Sequence, residues 1–133
     1  MRTVWAMPAE AASVPLARHR IIDLLRANGW CDERIDEAAL LTTELATNAV
    51  EHAGTPFALI AELTVELLRV DVRDASTAPP VTGPVPSDAA VGGRGLTLVS
   101  EFADRWGYEP AADGKSMWFE TRVALNGRGG RAV

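Results

Sequence analysis

The segment from Glu44 to His52 restricts the fold most, because its polar and apolar residues recur with the period of an α-helix. Glu44, Asn48 and His52 follow one another at intervals of one helical turn, which predicts a ladder of a carboxylate, an amide and an imidazole. An apolar ladder runs beside it: Leu41, Leu45 and Ala49. The polar ladder therefore borders the buried face, where polar groups need partners.

Two interpretations of the ladder are open at this point. Amphipathic helices often carry Glu and Asn at their margins, and taken alone the pattern is more typical of a solvated helix edge than of a binding site. The choice between the two depends on the motifs that follow it along the chain.

Composition bounds the class of protein. The chain has 133 residues, of which 47% are hydrophobic and 23% charged, which predicts one domain with a real core over residues 1–125. A net charge of -5 offers no basic surface, so neither a nucleic acid nor an anionic membrane is expected as a partner. The single cysteine, Cys31, excludes an intrachain disulfide and a multi-cysteine zinc site.

The ends of the chain carry no obvious targeting signal. Residues 1–10 lack a long apolar run, and no stretch is long enough to span a membrane, so the cytoplasm is the expected location. Residues 126–133 are rich in Gly and Arg, which predicts a flexible C-terminal tail.

Hydrophobic periodicity and the positions of Gly and Pro predict the order of helices and strands. Strands are predicted at 3–7, 57–63, 67–74, 106–108 and 116–123, and helices at 14–27, at 32–52 with Asp32 as N-cap, and from Leu96 onward. Five prolines or glycines in residues 75–91 predict an irregular loop. This order predicts an α+β two-layer sandwich, a mixed, mostly antiparallel sheet with helices on one face.

Asp74 ends a strand whose alternate residues are apolar. Leu68, Val70 and Val72 alternate with charged neighbours, and Asp74 continues the apolar row. A buried carboxylate costs several kcal/mol if it is left unpaired, so we expect Asp74 to meet a hydrogen-bond donor.

Gly92-Gly93-Arg94-Gly95 opens the predicted third helix and is a candidate phosphate site. Glycines let phosphate oxygens approach the backbone N–H groups at a helix N-terminus. The motif lacks the Gly-Lys-Ser/Thr of a Walker loop, and no strand precedes it as in a dinucleotide fingerprint.

Taken in order, these motifs resemble those of the GHKL ATPases, the Bergerat-fold superfamily of gyrase-type topoisomerases, heat-shock chaperones, mismatch-repair ATPases and histidine kinases. The chain is most similar to the short, stand-alone branch that contains the anti-sigma-factor serine/threonine kinases of bacteria. The resemblance covers residues 18–123.

The resemblance assigns roles to the helical ladder. Glu44-x-x-x-Asn48-x-x-x-His52 matches the family's N box, in which the asparagine coordinates Mg²⁺ and the glutamate acts as general base or orients the nucleophile. The implied metal ligand is Asn48 and the implied catalytic residue is Glu44. His52 is implied either as a phosphate contact or as a structural histidine.

The other motifs imply an ATP site. Asp74 matches the aspartate that accepts a hydrogen bond from the adenine amino group, although Ser76 replaces the glycine of the family's Asp-x-Gly. Residues 75–91 match the ATP lid, and Ser116 falls where the family often has a threonine that presents a hydroxyl to the adenine side. The lid base supplies four further cofactor contacts: Gly93, Arg94, Gly95 and Leu96.

The function implied is an ATP- and Mg²⁺-dependent serine/threonine kinase that phosphorylates a small antagonist protein, an anti-anti-sigma factor, and controls the availability of a sigma factor. Homodimerisation is seen in relatives. The alternative is a non-catalytic module of the same fold that holds a partner in an ATP-dependent way. A histidine-kinase domain is a weaker interpretation, because His19 lacks the dimerising helix pair such an acceptor needs.

Overall fold

A computed structural model describes residues 1–76 and 103–125. Most of the predicted lid, the Gly93–Arg94–Gly95–Leu96 segment, the predicted third helix and the C-terminal tail lie outside the described residues. The described part contains all five predicted strands and the first two predicted helices.

The sheet is built around one hairpin, β2 (Phe57–Leu63) and β3 (Leu67–Asp74), whose bounds coincide with those predicted from alternation. Three further strands join it: β1 (Arg2–Met7), β4 (Arg105–Ala111) and β5 (Gly114–Arg122). The order is β1-β2-β3-β5-β4, and every pair is antiparallel. The α+β prediction is confirmed, although the described sheet is wholly antiparallel and not mixed.

Two α-helices, α1 (Ser13–Ala27) and α2 (Asp32–Thr47), pack against each other and complete one hydrophobic core with the sheet. Their apolar stripes are largely buried, although Leu16, which the periodicity placed on the stripe of α1, is 42% exposed. The predicted cap of α2 is wrong by one residue: the extended Cys31 is the N-cap, and Asp32 is the first helical residue. At that position the carboxylate still lies in the first turn, where it interacts favourably with the helix dipole.

The predicted second helix changes character at its end. After Thr47 the chain forms a π-helical segment, Asn48–Ala53, in which Gly54 N–H donates to the carbonyl of Ala49 five residues back. Gly54 closes it with φ 68°, a left-handed conformation that glycine adopts without steric cost. Short π-helical turns inside or at the end of α-helices occur often at functional sites. Here the turn begins at the asparagine of the polar ladder.

The sheet has two faces with different contents. The face toward the helices, called the core face, carries the alternate residues of β3 that end in Asp74, together with Lys115, Met117 and Phe119 of β5. The opposite face, called the outer face, carries Arg69 and Asp71 of β3 and Ser116 of β5, with their neighbours. No helix in residues 1–76 and 103–125 is long and apolar enough to cross a membrane.

Candidate functional site

At one end of the core face, Asp74 and Lys115 form a buried ion pair. They lie opposite each other in the β3–β5 register, and Lys115 Nζ is 3.2 Å from Asp74 Oδ1 and 3.1 Å from Oδ2. Both side chains are 2% exposed. The sequence predicted that Asp74 would meet a hydrogen-bond donor. The protein supplies that donor itself, through the side chain of Lys115.

Backbone geometry holds this pair in place. Ser76 N–H donates to Asp74 Oδ1 at 2.8 Å, and the hydroxyl of Thr55 accepts from Ala75 N–H at 3.0 Å. A Cβ atom on Gly114 would overlap the main-chain oxygen of Asp74, so only glycine allows the β4–β5 turn to approach β3 this closely. That approach brings Lys115 level with Asp74.

A cavity of about 880 Å³ opens at this end of the sheet. It is lined by both members of the ion pair and by the ends of β1, β2, β4 and β5, including Met7, Phe57 and Pro110. The volume lies within the range of small-molecule sites, and a few polar groups in a largely apolar lining are typical of them. Glu44, Asn48 and His52 are not among its lining residues.

Ser116 does not present its hydroxyl beside Asp74. Its hydroxyl donates to Asp71 Oδ2 at 3.0 Å on the outer face, while Asp74 belongs to the core face. Consecutive residues of a strand point to opposite faces, so this hydroxyl lies on the face away from Asp74. Ser116 nevertheless lines the cavity at the sheet end, and its service to the adenine side stays a prediction. The β5 residue that shares a face with Asp74 is Lys115.

The outer face holds its own polar network around Asp71. Arg69 binds Asp71 through Nε and Nη2 at 2.9 and 3.2 Å, and this hydrogen bonding raises the pKa of Arg69. The Arg69 guanidinium also stacks over Trp118 at 4.2 Å from the ring centroid and reaches Glu120 at 3.5 Å. Stacking on the indole adds a cation–π attraction. Trp118 thus packs against side chains of the protein itself.

On the helical side, Asn48 lies where α2 gives way to the π-helical segment. Asn48 is 4% exposed, and its side-chain oxygen is buried without a hydrogen-bond partner in the part of the chain described. Its backbone N–H still donates to the carbonyls of Glu44 and Leu45, so Glu44 and Asn48 keep the one-turn spacing of an α-helix. Buried amide oxygens are almost always paired, so an unpaired one needs an explanation.

Glu44, one turn before Asn48, is partly buried. Its pKa is raised above the ordinary value of 4.5, first by burial and then by the negative charge of Glu51. Both causes disfavour the charged form, which makes the carboxylate a stronger base. Glu44 and Asn48 thus place a carboxylate of raised pKa one helical turn from an amide oxygen that has no partner among the described residues.

His52, the third member of the ladder, is exposed on the π-helical segment. Hydrogen bonds that span five residues widen the turn, so residues four apart no longer stack in line as they do in an α-helix. The structure therefore keeps Glu44 and Asn48 together and directs His52 toward solvent. Gly93, Arg94, Gly95 and Leu96 lie outside the described residues, so their place relative to these groups stays a prediction.

Lys115 is the site residue that sequence reasoning missed, although a signal was present. Lys115, Met117, Phe119 and Thr121 alternate along β5, so the lysine ends a largely apolar row just as Asp74 does on β3. A buried ammonium needs a partner for the same reason that a buried carboxylate does. Asp74 and Lys115 each end an apolar row, one on β3 and one on β5. They predict an ion pair once these two strands are known to be adjacent.

Comparison with known proteins identifies the family. Residues 7–120 match the family of histidine kinase-like ATPase domains, so this chain belongs to that family. The resemblance expected from the motif order is thereby confirmed, and ATP binding is the activity that the family's description implies.

A solved structure supports the same fold. The crystal structure of the RsbU and RsbW domains of Rv1364c from Mycobacterium tuberculosis superposes with a TM-score of 0.72 at 17% sequence identity. The match covers 92% of this chain and 32% of that one, so the chain spans about a third of the length of that structure. A search of curated proteins finds no match.

Proposed function

We propose that this protein is an ATP- and Mg²⁺-dependent serine/threonine kinase of the anti-sigma-factor type, which phosphorylates a small antagonist protein. The observation that carries the proposal is the pair formed by Glu44 and Asn48: a carboxylate of raised pKa lies one helical turn from a buried amide oxygen that has no partner among the described residues. Support for the nucleotide comes from the family match.

The residues present suit a magnesium–phosphate group. Mg²⁺ prefers hard oxygen ligands in an octahedron and usually takes only one or two from the protein, the rest being water and phosphate. Residues 1–76 and 103–125 contain no cluster of three or more His, Cys, Asp or Glu side chains that could hold a metal by themselves. The side-chain oxygen of Asn48 would supply the single protein ligand. When bound, the ion offsets the negative charge of the phosphates.

Glu44 is the proposed general base. In phosphoryl transfer the protein mainly positions the reactants and stabilises charge, and a carboxylate accepts the proton of the attacking hydroxyl. A base works best when its pKa approaches the working pH, and the burial of Glu44 shifts its pKa in that direction. The hydroxyl would belong to a serine or threonine of the antagonist protein.

Asp74 is the proposed anchor for the base of ATP. Its carboxylate lines the cavity at the sheet end, and an ionised carboxylate offers about four acceptor sites. Ser76 N–H and Lys115 Nζ occupy three of them: one each on Oδ1 and one on Oδ2. One acceptor site on Oδ2 remains for the 6-amino group of adenine.

The proposed biological role is control of a sigma factor that competes with the antagonist for this protein. The chain's membership of the histidine kinase-like ATPase family and its fold likeness to a structure that includes an RsbW domain support this role. The cytoplasm is the location that such a role requires. The second candidate is a non-catalytic module that binds the same partners only when ATP is present.

Phosphoryl transfer separates the two candidates. The protein is incubated with ATP labelled at the γ-phosphate and a purified anti-anti-sigma protein from the same organism, and label on the partner is counted. We expect Glu44→Ala to keep ATP affinity, measured by calorimetry, and to lose transfer. The matched control is Asp36→Ala, which removes an exposed carboxylate from the same helix. ATP binding by the wild type with no transfer to any such partner would favour the module.

A further inference from the structure

We propose that Lys115 reads the base of the bound nucleotide: its ammonium group donates a hydrogen bond to N1 of adenine while Asp74 accepts one from the 6-amino group. This inference rests on the proposed function, because it concerns the same ATP site. It assigns a specificity-determining role to a residue that no sequence motif singled out.

The ion pair has more donors and acceptors than its two side chains use. An ammonium group has three N–H donors, and among the described residues the only acceptors that Lys115 Nζ contacts are the two oxygens of Asp74. At least one N–H is left over. Asp74 Oδ2 also keeps one unused acceptor site, because Ser76 N–H binds Oδ1.

The position of these two unused groups also supports the proposal. Asp74 and Lys115 face each other across β3 and β5 on the core face, and both line the cavity at the sheet end. The spare acceptor and the spare donor therefore belong to two groups whose Nζ and Oδ2 atoms are 3.1 Å apart. The edge of adenine that carries the 6-amino group and N1 offers a donor beside an acceptor, which is the complementary pattern.

The cost of the arrangement without a ligand function supports it too. A buried ion pair is often no more stable than a pair of apolar residues of similar size, because two charges must leave water. Neither side chain is more than 2% exposed, and the surrounding core is apolar. A base-reading role gives a reason for an ammonium group at the end of this apolar row, beyond compensating the charge of Asp74.

The test uses nucleotides that lack single ring nitrogens. Calorimetry in Mg²⁺ compares ATP with 1-deaza-ATP, which has lost the N1 acceptor, and with 7-deaza-ATP, which has lost an acceptor on another edge. A hydrogen bond to a charged group is strong, so we expect the wild type to bind 1-deaza-ATP about tenfold more weakly than ATP. The 7-deaza analogue should bind like ATP.

The matched variant is Lys115→Met, which keeps an unbranched apolar stem and removes the donor. We expect it to bind ATP and 1-deaza-ATP with equal affinity. A variant that still prefers ATP by the wild-type factor would overturn the proposal. Lys115→Gln, which restores a neutral N–H donor, should recover part of the preference.

Wild-type measurements decide the question even where the variants do not fold. Equal affinity of the wild type for ATP and 1-deaza-ATP would overturn the proposal, because it would mean that Lys115 donates no hydrogen bond to N1 of adenine. The proposed function then stands, because ATP still binds. If the wild type binds none of the three nucleotides, the proposed function fails first, and the role of Lys115 fails with it.

Discussion

The sheet end and the helix end of the proposed ATP site treat buried polar groups in opposite ways. At the sheet end, Asp74 is satisfied by Ser76 N–H and Lys115 within the protein. At the helix end, the oxygen of Asn48 has no partner among residues 1–76 and 103–125 and lies at the start of a π-helical turn. Removing one member of the pair at the sheet end would therefore leave a buried charge uncompensated, whereas the oxygen at the helix end is proposed to find its partner in a bound ligand. Mutations at the sheet end should therefore lower mainly the free energy of unfolding, whereas mutations at the helix end should lower mainly the affinity for the ligand.

Asp74→Asn should have the largest effect, and that effect should fall on stability. Removing one member of a buried ion pair leaves the ammonium of Lys115 uncompensated and costs about 3–5 kcal/mol. Unfolding in urea, followed by circular dichroism, should show this loss of unfolding free energy.

The double variant Asp74→Asn, Lys115→Met is the control for that experiment, because it leaves no unpaired charge. It should recover most of the lost stability. An Asp74→Asn protein as stable as the wild type would mean that the pair is solvated in solution. Loss of ATP binding by Asp74→Asn is therefore informative only where the variant is shown to be folded.

Asn48→Ala should show the reverse pattern. It removes an oxygen that has no partner in the described part of the chain, and alanine is a better helix former, so the unfolding free energy should not fall. The Mg²⁺-dependent gain in ATP affinity should fall by about 10- to 150-fold, the equivalent of a polar contact to a charged group.

Calorimetry with Mg²⁺ and with EDTA measures that gain for the wild type and the variant. Thr47→Ala, a half-buried neighbour on α2, is the control and should keep the wild-type response to Mg²⁺. A response to Mg²⁺ that survives Asn48→Ala would contradict the assignment of this oxygen as the metal ligand.

Ser116→Ala tests whether the two faces of the sheet are independent. The hydroxyl donates to Asp71 on the outer face, so its loss should cost about 1 kcal/mol of unfolding free energy. ATP affinity should stay unchanged, because the face that carries Asp74 is untouched. A tenfold loss of ATP affinity would support the role implied by the family motif.

Glu51→Gln should have the smallest effect, a shift in pH dependence. The pKa of Glu44 is raised by burial and by Glu51, and transfer requires its ionised form, so activity should fall as the pH drops through that raised pKa. Removing the charge of Glu51 lowers the pKa of Glu44 and should move the acidic limb to lower pH. An unshifted limb would show that another group controls it.

The raised pKa of Glu44 also predicts the sign of a stability effect. The folded state holds the proton more tightly than the unfolded chain, so the favourable contribution is complete below the ordinary value of 4.5 and is lost as the pH rises through the folded-state value. Glu44→Gln should therefore raise the melting temperature near neutral pH. The difference should vanish in acid.

Much of the fold could be predicted from local pattern. The bounds of β2 and β3 follow from alternation, and α1 begins one residue before the predicted start. The end of α2 could not be predicted in this way, because the polar and apolar spacing of residues 44–52 is helical throughout. The switch to π-helical hydrogen bonds depends on how Asn48 and Ala49 pack into the core and on where Gly54 turns the chain.

The sequence alone determined the class of fold, the family and the candidate residues Glu44, Asn48 and Asp74, because periodicity and motif order are properties of the linear chain. The partner of Asp74, the face of Ser116 and the exposure of His52 were decided only by the tertiary structure. The first two depend on which strand lies next to which and in what register, and the third depends on the π-helical turn at the end of α2. Contacts between residues some 40 positions apart, such as Asp74 and Lys115, arise only when the sheet has formed.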